Sequence, residues 1–422
     1  MKNMWMALAA ILSFTACVME DEDFPDYTRV DLQSEITGVQ PMTGLVVWNT
    51  SSANKQDYVQ LEFSYMLYND VCKEKDVFDW TPMDRLLEQV ASRGNQAIVR
   101  FRYTYPGYKS AVPDYIKALP DYEVRNSKSE GRDTEFPDWR HPELQRFHKE
   151  FHRRFAERYD KDPRLAFAQT GYGLWAEYHI YDGLFIKGQT FPSKEFQNEF
   201  FLGMKEWFDD CSWSISIDAG DSVYGPFAQF PELLELEFGN FDDSFMCEDH
   251  DGYNTRMWKK FGEERYKHSP FGGEFSYYTD SDQKHCLDRE GMHGRVFEDE
   301  VAKFHMTYIM ANDQPRYQKA DRLTEAGMAM GYKFTIEDYR VKGSSVAIQI
   351  ANTGVAPIYR DAWVAVGGVR GEVNLRNLMP GENTWVTIDN CYTKGAVPTI
   401  ECDHLVQGQK IEYAANVVAG KK

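Results

Sequence analysis

LAFAQTGYGLWAEYHIYDG, residues 165–183, joins an apolar run to two glycines, a tryptophan and a single carboxylate, Glu177. A short apolar run stopped by a Gly-x-Gly pair reads as a buried strand rather than a helix. The C-terminal end of such a strand is where a parallel barrel carries its chemistry, so Glu177 is either a loop charge or a working acid at a barrel mouth. What lies on either side decides between the two.

Seven further runs have strand character: GLVVWN (44–49), VQLEFSYM (59–66), QAIVRFRY (96–103), WSISID (213–218), a weaker LEFGNF (236–241), FGGEF (271–275) and MTYIMAND (306–313). Helices fall between them. One opens at Thr81-Pro82 and stops at Gly94; another, 141–163, sets Leu144, Phe147, Phe151 and Phe155 on one stripe before Pro163; a third starts at Ser193. Two more are expected at 254–267 and 293–305. Eight strands, each usually followed by a helix, predict an α/β fold of the (β/α)8 TIM-barrel type. After residue 328 the pattern becomes short alternating runs punctuated by Gly, Asn and Pro, which predicts a small antiparallel β-sandwich. The expected divisions are 1–17, 18–40, 41–327 and 328–422.

Bulk properties narrow the ligand. The chain has 422 residues, a net charge of −19 and 15% aromatic residues. The negative charge is spread along the chain with no basic stripe, which argues against a nucleic-acid partner and for an uncharged or weakly charged ligand. Residues 1–17 combine an early lysine, a short apolar stretch and Cys17, and read as a secretory signal too short to span a bilayer. The stretch resembles a bacterial lipoprotein signal, and the acidic run EDEDFPD after it is similar to surface-export tags of Bacteroidetes-type lipoproteins. That resemblance implies lipid on Cys17, an acidic tether over 18–40, and an outer-membrane protein exposed at the cell surface, held to the membrane only by its lipid. Of the six other cysteines, Cys391 and Cys402 are close enough in sequence for a local bridge, and the spacing matches no zinc pattern. Oligomeric state has no signature in the sequence.

Glu177 follows the fourth strand, and Glu274, in FGGEF, ends the seventh. Strands four and seven face one another across a barrel mouth. Two opposed carboxylates are what glycoside hydrolysis needs, one to protonate the leaving oxygen and one to attack the anomeric carbon or activate water. Tyr172, Trp175 and Tyr178 surround Glu177 with apolar surface that favours its protonated form, and Gly272 and Gly273 would let backbone approach a ligand. The structural alternative is that each glutamate pairs with an arginine of the third strand, Arg100 or Arg102. Trp48, Trp80, Trp139 and Trp175 could stack on sugar faces, Trp175 with the best address. Asp242 and Asp243 after strand six serve either a sugar hydroxyl or a turn. His148 and His152, in HKEFH, have the wrong glutamate offset for a zinc protease and are expected on a solvated helix face.

Over about residues 40–370 the chain resembles a family of secreted bacterial proteins catalogued as a domain of unknown function, with a glycosidase-like barrel followed by a sandwich. PMTGLVVWN, NQAIVRFRY, the run from FPDWRHPELQ to GYGLWAEYH, FGGEF and GYKFTIEDYRV carry the likeness. The barrel is similar to those of clan A glycoside hydrolases, which include β-galactosidases and cellulases and retain anomeric configuration. The resemblance implies acid/base and nucleophile roles for Glu177 and Glu274, with an oligo- or polysaccharide as substrate and no cofactor. The clan usually has asparagine before the acid/base, contacting the sugar 2-hydroxyl; this chain has Ala176. His179 and Asn240 are candidates for that contact, and Tyr172, Arg102, Asp242 and Trp48 for others. If nothing replaces the asparagine, a glycan-binding lipoprotein without turnover is the alternative.

Overall fold

The computed structural model describes residues 24–420; the expected signal, with Cys17, lies outside them. Eight parallel strands close into a barrel: β1 (Gly44–Trp48), β2 (Val59–Leu67), β3 (Gln96–Arg102), β4 (Leu165–Gln169), β5 (Trp213–Ser216), β6 (Gly239–Phe245), β7 (Phe271–Phe275) and β8 (Tyr308–Met310). The ring closes where Tyr308, Ile309 and Met310 pair with Gly44, Leu45 and Val46. All eight expected strands are present. The sixth runs past the expected end at 241, so Asp242 and Asp243 are strand residues. Two adjacent carboxylates break apolar alternation, yet the strand end tolerates them because each meets a polar partner, Asn254 for Asp242 and Arg100 for Asp243.

Alternation sorts the side chains. Val46, Phe63, Ile98 and Tyr308 face the barrel axis, with Trp48, Tyr65, Arg100 and Met310 two residues further on towards the mouth. Val99 and Phe101 point outward into the layer filled by the helices. Tyr308 fixes one glycine: a Cβ on Gly272 would come within 2.2 Å of its ring. Gly272 therefore makes room for a neighbouring strand's aromatic ring rather than for a ligand.

The main helices are α1 (Thr81–Ala91), α2 (Pro142–Tyr159), α3 (Lys194–Trp207), α4 (Asp251–Phe261), α5 (Phe297–Phe304) and α6 (Ala320–Met328). Ser193 caps α3, its Oγ accepting from the Phe196 N–H at 3.2 Å. Strands β1 and β5 lack a following α-helix; β5 leads into 3-10 turns at Ile217–Gly220 and Pro231–Glu235. Helix α2 buries a wider stripe than its phenylalanines announce. His148 and His152 are buried against Tyr68 and Phe200, correcting the expected solvated face. Burial pushes His152 down to about 4, so its ring is neutral. No described helix is long and apolar enough to cross a membrane.

Beyond the barrel, a larger sheet contains Asn383–Ile388, Ser345–Asn352, Phe334–Lys342, Tyr413–Val417 and Leu32–Ser34 in that order, and a smaller one Val369–Arg370, Ala362–Val366 and Pro398–Cys402. Pairing is antiparallel except between Phe334–Lys342 and Tyr413–Val417. Thr28–Arg29 also pairs with Phe334–Lys342, so from Thr28 the expected tether is partly built into this sheet. Cys391, in the loop after Asn383–Ile388, and Cys402, at the end of Pro398–Cys402, are free thiols, as are the other four described cysteines. No local bridge forms.

The sheets dock on the barrel away from its mouth. Arg360, 2% exposed, donates to the carbonyls of Leu165 at 3.0 Å and Ala166 at 3.3 Å, at the start of β4. Gln96, at the start of β3, donates to the His404 carbonyl at 2.8 Å. Arg360→Met is expected to destabilise the chain by about 1–3 kcal/mol in urea unfolding, because it strands buried carbonyls without a donor.

Candidate functional site

At the C-terminal mouth the strands deliver polar side chains to one place. Arg100, on β3 and 4% exposed, is its centre. Its Nη2 donates to Asp243 Oδ1 at 3.0 Å, its Nε to Gln169 Oε1 at 2.8 Å, and its Nη1 lies 3.6 Å from Glu177 Oε1. Gln169 in turn donates to the Tyr308 hydroxyl at 2.8 Å. The guanidinium carbon sits 4.0 Å from the Phe241 ring centroid, a cation–π contact that holds the planar group in place.

Glu177 reaches this centre through a tight loop. The Tyr172 and Gly173 N–H groups donate to the Glu177 carbonyl at 3.1 and 2.8 Å, and the Trp175 N–H to the Thr104 carbonyl at 3.2 Å. Trp175 and Ala176 take φ of 55° and 56°, in the left-handed region that ordinary residues avoid. Gly171 is what permits the fold-back: a Cβ there would sit 2.0 Å from the Ala176 carbonyl oxygen. Glu177 Oε2 then lies 3.2 Å from His179 Nε2, while His179 Nδ1 lies 2.6 Å from Asp218 Oδ2, just beyond β5.

Glu274, from β7, lines a narrow recess together with Arg100, Asp243, Trp48 and Tyr65. Burial pushes its carboxyl up to about 8, Asp243 adding to the effect and Arg100 opposing it. Glu177 is raised well above the ordinary glutamate range by burial, then by Asp243, against Arg100, with Asp218 and Glu274 also disfavouring its charge. Asp243 is raised by burial, again against Arg100. One cation thus faces carboxylates it cannot all neutralise, so the site holds protons.

The expected site residues separate into two groups. Glu177, Glu274, His179, Trp48 and Arg102 are at the mouth, Arg102 with its guanidinium 4.5 Å from the Tyr105 ring. Trp175 is there too, stacked on Tyr181 at 5.9 Å. Tyr172 is instead packed in the core against Trp139, 5.1 Å between centroids. Asn240 is buried in the barrel wall, donating to the Ile215 carbonyl at 3.4 Å. Asp242 points to α4, where it accepts from Asn254 at 2.8 Å. These three face away from the axis because strand alternation or loop reversal turns them outward. The axis position on β6 falls to Asp243. Asn240 does not stand in for the asparagine missing at Ala176, whereas His179, its Nδ1 bonded to Asp218, keeps a buried Nε2 without a hydrogen-bond partner. Arg100, offered only as a structural partner, Asp218 and Gln169 are the residues the sequence reading left out of the site. Asp218 and Asp243 did carry one signal, an acid at the end of a strand run.

Among the described residues, Glu177, His179 and Asp218 are the set with metal-capable atoms all within 4.8 Å of one another. The imidazole lies between the two carboxylates, its Nδ1 hydrogen-bonded to Asp218 at 2.6 Å and its buried Nε2 3.2 Å from Glu177 without a hydrogen bond to it.

No family model matches the chain, and no curated protein matches it. Among solved structures it is similar to a glycoside hydrolase family 30 subfamily 8 xylanase from Clostridium acetobutylicum, at 10% identity and TM-score 0.39, covering 90% of this chain and 96% of that one. It is also similar to a family 39 glycoside hydrolase from the gut symbiont Bacteroides cellulosilyticus WH2, at 9% identity and TM-score 0.40, over 83% of this chain and 79% of that one. A third is the α-galactosidase of Thermus thermophilus, at 11% identity and TM-score 0.39, over 75% of this chain and 66% of that one. At such identities and TM-scores, what those enzymes do is a property of theirs alone.

The raised Glu274 carboxyl has a consequence for stability. Its folded value near 8 exceeds the ordinary 4.5, so the folded state binds the extra proton between those values. The stability this contributes is present below pH 4.5 and lost as pH rises through 8. Glu274→Gln is expected to match the wild type in denaturant unfolding near pH 4.5 and to exceed it increasingly up to pH 8.

Proposed function

We propose that the chain is a retaining glycoside hydrolase acting on a neutral or weakly charged oligo- or polysaccharide, with Glu177 as acid/base and Glu274 as nucleophile. The observation carrying this reading is that carboxyl groups from the fourth and seventh strand ends meet around Arg100 at one barrel mouth, Glu177 holding its proton. Glu177 gives that proton to the glycosidic oxygen as the bond to the anomeric carbon breaks, the electron pair staying on the leaving oxygen. Glu274 attacks the same carbon and forms a glycosyl ester. Glu177, now a carboxylate, takes a proton from water, which displaces Glu274. Trp48, Tyr65 and Trp175 offer ring faces for sugar C–H groups, and Tyr181, 60% exposed, extends that surface outward. We further place the protein at the cell surface, on lipid carried by Cys17.

A second reading, glycan binding without turnover, is favoured by Glu177 itself. It is only 7% exposed, one oxygen beside Arg100 and the other beside His179, and Ala176 supplies no sugar contact. A glycan array combined with mass spectrometry of products separates the two: binding with no cleavage supports the second.

Glu274→Ala is expected to cut turnover of an activated aryl glycoside by at least about three orders of magnitude, and external azide to restore it as the inverted glycosyl azide. Unchanged activity in this variant would remove Glu274 as nucleophile. Because Glu274 must be ionised to attack, kcat/KM of the wild type is expected to rise through an acid limb near pH 8.

A further inference from the structure

Loops on opposite sides of the mouth carry aromatic rings that packing does not account for. Among the described residues the most exposed aromatic side chains are Tyr108, Tyr181, Tyr277, Tyr278 and Tyr317, at 42% to 60%. Each lies in a segment that follows a barrel strand: Tyr108 after β3, Tyr181 after β4, Tyr277 and Tyr278 after β7, and Tyr317 after β8. The second sheet region carries no described aromatic ring so exposed. In the order of the closed barrel, β3 and β4 stand across from β7 and β8, so the tyrosines form two flanks with Glu177 and Glu274 between them. A single exposed ring is ordinary on a protein surface; five gathered round one opening mark a contact surface.

The flank on β3 and β4 is continuous with the recess. Ring centroids step from Trp48 to Tyr65 at 5.4 Å and on to Tyr105 at 6.1 Å, then either to Tyr108 at 5.4 Å or through Trp175 at 6.1 Å to Tyr181 at 5.9 Å. On the other flank burial raises the Tyr277 phenol, and Glu274 and Asp313 add to the effect, so this ring lies within electrostatic reach of the recess. The backbone beneath both flanks is held. The Glu135 N–H donates to the Tyr108 carbonyl at 3.1 Å, the Tyr278 N–H donates to Ser276 Oγ at 3.0 Å, and buried Gln283 donates to the Phe275 and Ser276 carbonyls, both at 2.8 Å. Rings on loops already fixed can bind without the entropic cost of ordering them.

We propose that the mouth is a cleft open at both flanks that takes an extended neutral polysaccharide, sugar units resting on Tyr108 and Tyr181 on one side of the acids and on Tyr277, Tyr278 and Tyr317 on the other, so that cleavage falls within the chain rather than at its end. Tyrosine suits this occupant, with a flat apolar face for sugar C–H groups and a hydroxyl for their polar edges. The acids between the flanks repel an anionic chain. A site that removes terminal units needs a wall on one side of the scissile bond, whereas here both sides present exposed rings. Internal cleavage rests on the hydrolytic reading given above; the two-sided cleft does not.

The test is native affinity electrophoresis of the full chain in gels containing hydroxyethylcellulose, arabinoxylan, galactomannan or mixed-linkage β-glucan, with size analysis of the products from each polymer. At least one polymer is expected to retard the wild type, and Tyr181→Ala and Tyr278→Ala each to weaken that binding about fivefold, as loss of one stacked ring does. The first products are expected to be fragments of intermediate length. Retardation by none of the four polymers, an effect confined to one flank, or release of single terminal sugars from a polymer that keeps its length overturns the proposal. Weakened binding on both flanks in a chain that cuts none of the polymers leaves the cleft standing and removes only the hydrolytic reading.

Discussion

A guanidinium buried where a barrel opens is an unusual burden, and Arg100 is tolerable there only because its donors are engaged. Asp243 and Gln169 take hydrogen bonds, Glu177 supplies a nearby charge, and Phe241 covers one face. The partners come from β4, the loop after it and β6, so the cation fixes the spacing of these three segments. The carboxylates depend on it equally. Without Arg100, Glu177, Asp243 and Glu274 would face one another with no positive charge in the recess.

The balance is incomplete, and the chemistry follows from that. One cation among several acids leaves protons in the site: burial raises each carboxyl most, and the neighbouring acids add to it. An environment of this kind can hold a general acid ready near neutral pH. In the proposed reaction it also burdens Glu274, whose attack requires ionisation, and so displaces the expected optimum to higher pH.

The frame that holds these groups keeps its own supports elsewhere. Aromatic rings of α2 and α3 press on the outer faces of β3 and the loop beyond β4, while Arg360 and Gln96 tie the second sheet region to the opposite end of the strands. The mouth is left to loops whose strained turn at Trp175 and Ala176 aims Glu177 across the opening. Strain stored at such a turn persists only when the surrounding structure determines it, as the Gly171 contact and the Thr104 bridge do here.

The eight strands were legible because burial on two sides requires apolar runs, and such runs are local. Glu177 and Glu274 were legible as residues at strand ends, given the barrel. Glycine at 272 was legible but its reason was not: the ring it accommodates belongs to Tyr308, on the next strand. His148 and His152 were misplaced because a helix packed on two neighbours buries more of its circumference than its hydrophobic stripe marks. Composition, period and turn residues thus determined the architecture and the positions where chemistry could sit. Which acids share a cation, and which imidazole nitrogen meets which carboxylate, was decided only when strand closure brought residues 100, 177, 218 and 243 together. Electrostatic coupling depends on distance through space and burial, and neither is written in the order of the chain.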